Sequence, residues 1–382
     1  MLILHIGNTN VTLYAEIKFY ILVMKILLFG EYSGFFNCLK DGLVALGHDV
    51  FMVSSGDGVK DFPADFRWDK HIFQNNKFLK NRWNLPNLML HCNLLRGYDV
   101  VLLIAPNEIS YTRQWLNRIP YDYLRKHNKK VYLSGAGITA HLFDYWYNSD
   151  TKYRSYMEGY YVNNKEVLYH NNKELLLWED ELMGMVDGYI PIWYEYFMPF
   201  KGYPTCRNVV RIPINTNQFE YKINVVKDKI VFYHGSRSEV KGTRYIKAAF
   251  EKMQKYYGDK GEFICAGMLP FKEYMDLVER TNVIVDDANS YSVAMNGFFS
   301  MLKGKIVMGG AEPEANAMYG YTTNPVFNIC PDVDQICDTM ISIINRRDEI
   351  ESLGLEGRNF VEQYHNYIDI ARQYETIFMS DV

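Results

Sequence analysis

A chain of 382 residues, 48% hydrophobic and 23% charged, has the composition of a folded globular protein with no sign of a disordered tail and is long enough for two compact domains. Its formal net charge of -4 supplies no global basic field, so no nucleic-acid partner is expected. The six cysteines (Cys38, Cys92, Cys206, Cys265, Cys330, Cys337) form no CxxC pair, which argues against a zinc knuckle or disulfide scaffold and for reduced thiols in the cytoplasm.

The opening stretch (1–23) is apolar, but Lys18 and Lys25 interrupt the run, and what lies between them is too short to span a bilayer. No small-residue cleavage site follows a basic start, so neither a transmembrane helix nor a signal peptide is expected. "MKILLFG" from Met24 reads as the first strand of an α/β domain. Residues 1–23 are then an N-terminal extension, either an appendage from an upstream start or an added edge strand.

Next come the loop "EYSGF", a helix over "FNCLKDGLVALGH" and the strand "DVFMVSS", a βαβ opening. Phe36, Leu39, Leu43 and Leu46 recur at helical spacing, and Gly47 suits a C-cap. The segment 77–97 interleaves Lys77, Lys80, Arg82 and Arg96 with Phe78, Leu79, Trp83 and Leu90. It fits core packing, the preferred reading, or peripheral contact with an anionic membrane face, and Pro86 should interrupt any helix there. "YDVVLLIAP" and "KKVYLSGAG" are short β-rich runs with a helical stretch between them, so a parallel sheet with helices on both faces is predicted.

A segment dense in Pro, Gly and Asn follows, and the same grammar restarts with "KIVFYHG", the loop "SRSEVKG", the helix "TRYIKAAFEKMQKYYG" and the strand "EFICAG". Two similar α/β lobes are therefore predicted over 24–200 and 201–356. An amphipathic helix over 357–382, with Phe360, Tyr364, Ile368, Ala371 and Tyr374 in one stripe, is placed to return to the first lobe. A ligand is expected in the cleft, at the carboxyl ends of both sheets.

Two stretches of the second lobe carry the chemistry. "HGSRSEVKG" (234–242) sets Gly235 after a strand and Arg237 and Lys241 around a helix entrance, which suits either a diphosphate or a solvated capping loop. In "NVIVDDANSYSVAMNGFFSMLKGKIVMGGAEPE" (282–314) a buried strand ends at Asp286 and Asp287, a polar loop follows, and a helix begins near Val293. The adjacent aspartates form no DxD triplet and read as a structural loop pair, so no metal is expected.

This ordering resembles the C-terminal donor domain of GT-B type glycosyltransferases, especially the large retaining glycosyltransferase family 4 (group 1). "FSMLKGKIVM" is similar to that family's "EAMACGKPVI", and the likeness extends in order over "MKILLFGEYSG", "GYIPIWYEYF", "RIPINTNQF" and "HGSRSEVKGTRYIKAAF". The resemblance implies two Rossmann-like lobes, a nucleotide-sugar donor, a saccharide or lipid-linked saccharide acceptor, and a role in cell-surface polysaccharide or glycoconjugate biosynthesis. It implies that Arg237 and Lys241 hold the donor diphosphate and that Ser290, Tyr291, Ser292, Val293, Ala294 and Met295 line the donor pocket. Retention is generally pictured there as front-face displacement, in which the leaving diphosphate helps deprotonate the acceptor and is stabilised by cations and backbone amides. No cofactor is implied.

The family's paired glutamates fall on Tyr291 and Phe299, so neither carboxylate is present. Tyr291 keeps a hydroxyl and a stacking face, and Asn296 or Glu314 are candidates to replace lost hydrogen bonds. An altered but active donor site is expected; a nucleotide-sugar epimerase of the same fold and a non-catalytic nucleotide-sugar binder are the alternatives. In the first lobe, Gly30, Glu31, Tyr32 and His141 follow strands and are acceptor-side candidates, although His141 reads more simply as a helix-start or surface histidine. Cys265 and Gly267 are candidates for the nucleotide-base wall. The sequence carries no signal of oligomeric state.

Overall fold

In the computed structural model, the residues described are 23–380, apart from 77, 111–112, 150–156, 158–165, 237 and 268–270. All but the last residue of the N-terminal extension, and Arg237, therefore lie outside the described residues.

The apolar runs of the first half are buried on both faces, as strands between two layers of helices must be. Along β1 (Lys25–Phe29), Ile26 and Leu28 enter one hydrophobic cluster while Leu27 and Phe29 enter another. That alternation is the period of two of an extended chain. β2 (Asp49–Ser54), β3 (Phe66–Arg67), β4 (Val100–Leu103), β5 (Lys130–Gly135) and β6 (Gly188–Pro191) join β1 in a parallel sheet of order β3-β2-β1-β4-β5-β6. Chain direction across the sheet reverses between β1 and β4, so the loops after these strands diverge and leave a crevice.

The second half repeats the plan with β7 (Ile230–His234), β8 (Gly261–Cys265), β9 (Val283–Val285), β10 (Ile306–Gly309) and β11 (Phe327–Asn328). Their order is β11-β10-β9-β7-β8, again parallel, with the switch point between β7 and β9. The two predicted Rossmann-like lobes are present. They are not separated by an open gap: Leu28, Trp146 and Ile192 share one buried cluster with Tyr291, Phe298 and Tyr319.

The end of the chain corrects the expectation of one continuous returning helix. Helices Ile350–Tyr364 and Tyr367–Ser380 are separated at His365 and Asn366, where the chain forms a parallel bridge with Ile214. The Ile214 amide donates to the His365 carbonyl at 2.7 Å, and the Tyr367 amide donates to the Ile214 carbonyl at 3.2 Å. The His365 ring is fixed by the Ile212 carbonyl at 2.8 Å and the Tyr321 hydroxyl at 2.6 Å, and Asn366 Oδ1 accepts the Ile368 amide to start the second helix. That helix packs on helix Phe35–Ala45, where a Cβ at Gly42 would overlap the Tyr367 carbonyl.

Pro86 is a second correction: it lies inside helix Lys80–Leu90, which continues through it with one backbone donor missing. The same segment is divided between interior and surface, with Leu88 buried but Phe78 and Leu90 69% and 72% exposed.

Candidate functional site

Because β7 and β9 flank the switch point, the loops that follow them emerge side by side, and they are stitched together. The Ala288 amide donates to the Lys241 carbonyl at 3.2 Å, and Asn289 Nδ2 donates to the carbonyls of Glu239 and Val240 at 3.2 and 3.1 Å. Lys241 Nζ lies 2.6 Å from Asp286 Oδ1, whose side chain is only 2% exposed. Burial alone would depress the lysine pKa, but the charges of Asp286 and Asp287 outweigh it and hold the ammonium form. Asp287 accepts the Asn289 amide at 2.8 Å. Burial pushes its carboxyl up to about 7, opposed by Lys241 and reinforced by Asp286 and Glu195.

Glu195 arrives from the other side, in the turn Tyr194–Phe197 that follows β6. Its Oε1 accepts the Ser290 hydroxyl and the Tyr291 amide, each at 2.7 Å, and Oε2 accepts the Ser292 hydroxyl at 3.4 Å. Burial raises its pKa, and these donors oppose the shift. The Tyr319 hydroxyl accepts the Tyr194 amide at 2.8 Å and meets Ser292 Oγ at 2.7 Å, which pins the same turn to the second lobe. Trp146 Nε1 donates to the Glu195 carbonyl at 3.0 Å. The Tyr291 ring packs between the lobes, its centroid 5.2 Å from Trp146 and 5.0 Å from Tyr194. Gly310 permits this arrangement, because a Cβ there would overlap the Ser290 carbonyl and lie 2.6 Å from the Ser292 amide nitrogen.

These loops line an open-sided chamber of about 190 Å³. Leu142, Trp146, Trp193 and Tyr196 wall it from the first lobe, while Lys241, Asp287, Ser290, Tyr291 and Ala294 close it from the second, with Glu195 between them. It is an apolar cup with a few convergent polar groups, the usual form of a small-molecule site.

Of the residues singled out in the sequence, Lys241, Ser290, Tyr291 and Ala294 come together here. Ser292 and Val293 line a separate, smaller void with Arg211 and Tyr319, and Met295 is buried. Asn296 and Glu314 are exposed on their helices and do not line the chamber. The Tyr291 amide is taken by Glu195, and the Ala294 amide faces Asp286 Oδ2 at 3.4 Å, so these donors already have carboxylate partners. Phe299, at the second glutamate position, packs on Phe219 with centroids 4.9 Å apart. Gly235 is exposed in the loop after β7, Cys265 is exposed at the end of β8, and Gly267 is buried just beyond it.

In the first lobe the Glu31 carboxylate is turned inward. It accepts the amides of Gly34 and Asn37 at 2.9 Å and Asn37 Nδ2 at 2.6 Å, and so caps helix Phe35–Ala45. His141 is held by Glu179 at 2.9 Å and meets the Tyr203 hydroxyl at 3.1 Å. Burial would lower its pKa, but Glu179, Asp180 and Asp144 together raise it. Gly30 and Tyr32 lie at the β1–β4 switch point beside Glu108, a residue the sequence did not single out. Burial pushes the Glu108 carboxyl up to about 8, against hydrogen bonds from Tyr32 and Ser55.

Glu195, Asp287 and Trp146 are among the chamber residues that the sequence did not single out as part of a site. The one signal for Glu195 in the sequence is an acidic residue inside the aromatic run "IWYEYF". Among the described residues there is no cluster of His, Cys, Asp and Glu able to hold a metal, and no helix long and apolar enough to cross a membrane.

No family model and no curated protein matches the chain. Solved structures do. Sucrose-phosphate synthase from Thermosynechococcus elongatus is similar over 94% of this chain and 98% of its own, with a TM-score of 0.61 at 15% identity. HepE from Anabaena, in complex with UDP-glucose, is similar over 94% and 100% with a TM-score of 0.56 at 12% identity. A UDP-GlcNAc 2-epimerase from Neisseria meningitidis, bound to UDP-GlcNAc, is similar over the same shares with a TM-score of 0.51 at 12% identity. The chain therefore has the two-lobed GT-B fold of these solved structures, one of which is a 2-epimerase.

Proposed function

We propose that the protein is a glycosyltransferase that moves a sugar from a nucleoside-diphosphate donor to a saccharide or lipid-linked saccharide, with retention and without a metal ion. One observation carries this: the loops after β7 and β9 meet the first lobe around an aromatic-walled chamber at the switch point. The similarity in fold to a sucrose-phosphate synthase and to HepE crystallised with UDP-glucose supports the donor class. Fold alone does not choose the reaction, so the residues must.

Lys241 is the ammonium positioned to stabilise charge on a leaving diphosphate, and Arg237 is assigned the same task in the adjoining loop. In a site that excludes water, such electrostatic stabilisation is the main source of rate for a transferase of this kind. The diphosphate is assigned to the Gly235–Lys241 loop rather than to the 290–294 loop, since Glu195 and Asp286 engage the Tyr291 and Ala294 amides. The first lobe, over 24–200, is assigned the acceptor and the second, over 201–356, the donor. Tyr32 and Glu108 at the β1–β4 crevice are the acceptor-side groups this assignment favours.

The test is product analysis with UDP-, ADP- and GDP-sugars, with and without a saccharide acceptor panel. Transfer that requires acceptor, and that falls sharply in Arg237→Ala, supports the assignment. A changed sugar epimer formed without acceptor would replace it with an epimerase, and donor binding with neither product would replace it with a binding protein.

A further inference from the structure

We propose that Glu195, carried by the first lobe, is the residue that reads the transferred sugar of the donor, by accepting a hydroxyl of the sugar ring on Oε2 inside the interlobe chamber. This rests on the nucleotide-sugar reading above and goes beyond it by naming the specificity-determining group.

Size is the first reason. At about 190 Å³ the chamber has room for one sugar ring and is smaller than the roughly 300–1,000 Å³ of pockets that take drug-sized ligands, so we assign the nucleoside to its open side. Charge is the second. Lys241 is the one cation among the described lining residues, and it is already paired with Asp286 at 2.6 Å. Asp287 and Glu195 add acceptor oxygens, so the walls suit the O–H donors of a neutral polyol. Trp146, Trp193 and Tyr291 add apolar wall for the C–H surface of a pyranose.

The geometry of Glu195 itself is the third reason. Oε1 is fixed by two short hydrogen bonds, from Ser290 Oγ and the Tyr291 amide, so the carboxylate is held in place before any ligand enters. Oε2 is the less tightly held oxygen: its contact with Ser292 is 3.4 Å, long enough for a ligand hydroxyl to displace, and the residue lines the chamber. Since Glu195 belongs to one lobe and Lys241 to the other, only a donor that carries its sugar touches both. A nucleoside diphosphate alone would be indifferent to Glu195.

Isothermal titration of the full chain with UDP, UDP-glucose and UDP-GlcNAc, beside the ADP- and GDP-linked equivalents, decides this on wild type and Glu195→Gln. The expected result is a loss of roughly 10- to 100-fold in affinity for the preferred nucleotide sugar, as for a charged hydrogen bond to a buried partner, with affinity for the parent diphosphate unchanged. Equal losses for both ligands would overturn the proposal, because Glu195 would then only hold the 290–292 loop. Tighter diphosphate binding would also overturn it, because the carboxylate would then be occupying the phosphate position. If wild type binds none of these ligands, the donor assignment itself fails. Should Glu195→Gln not fold, saturation-transfer NMR on wild type with the same nucleotide sugar serves instead. Strong saturation of the sugar-ring protons relative to the base is expected, and its absence would overturn the proposal.

Discussion

Replacing Lys241 with alanine should destabilise the fold as well as the chemistry. The Asp286 side chain is 2% exposed, and its next donor, the Ala294 amide, is 3.4 Å away. Removing the ammonium leaves a buried carboxylate without its counter-charge, a change that typically costs about 3–5 kcal/mol. Lys241 is itself 29% exposed, so water entering its vacated space should bring the cost toward the lower end of that range. Against a typical domain stability of roughly 5–15 kcal/mol this is large, and it would make turnover lost in Lys241→Ala uninterpretable by itself. The double variant Lys241→Ala, Asp286→Asn removes both charges and should recover most of the loss. Urea unfolding of wild type, single and double variants measures the change in stability, and donor turnover per folded molecule measures the chemistry. A loss below about 1 kcal/mol in the single variant would refute the pairing argument. Wild-type turnover in a stable double variant would refute the catalytic role of Lys241.

His365 is buried, and burial holds its pKa at about 3 with help from Arg211 and against the Ile212 carbonyl. The unfolded chain protonates near the ordinary value of 6.5, so the stabilising effect is fully present above that pH and is lost as pH falls toward 3. By pH 5 the loss should be about 2 kcal/mol, and His365→Gln should flatten the urea midpoint over pH 7.5 to 5. Glu108 runs the other way: its folded pKa of about 8 exceeds the ordinary 4.5, so its contribution is full below 4.5 and is lost as pH rises to 8. Glu108→Gln should remove that decline, read as the change in urea midpoint between pH 5.5 and 8. Gly310→Ala should displace the 290–292 loop, cost about 1–3 kcal/mol in thermal or chemical unfolding, and weaken nucleotide-sugar binding more than any helix-surface Gly→Ala.

The lobes were legible because β1, β4, β7 and β9 are short apolar runs closed by Gly, Pro or Asp, and pattern and environment agree there. The break at His365 and Asn366 was not legible, since no Gly or Pro marks it and its cause is a bridge to Ile214, far away in the chain. The loops after β7 and β9 could be read as a site from their position before helices. Their partners could not. Asp286 reads in sequence as one of a loop pair and in space as the counter-ion of Lys241. Tyr291 shows in sequence only that a carboxylate is missing; in the fold its ring joins Trp146 and Tyr194, and its amide holds Glu195 from the opposite lobe. A contact that joins two lobes leaves no periodicity for sequence inspection to find.

The most direct test of a nucleotide-sugar site between the lobes is a crystal structure of the protein with whichever UDP-, ADP- or GDP-sugar raises its thermal stability most. The expected result is diphosphate density along the Gly235–Lys241 loop, with the sugar ring inside the chamber between Trp146 and Lys241. Phosphates seated elsewhere, or a chamber left empty beside a bound nucleotide sugar, would contradict it.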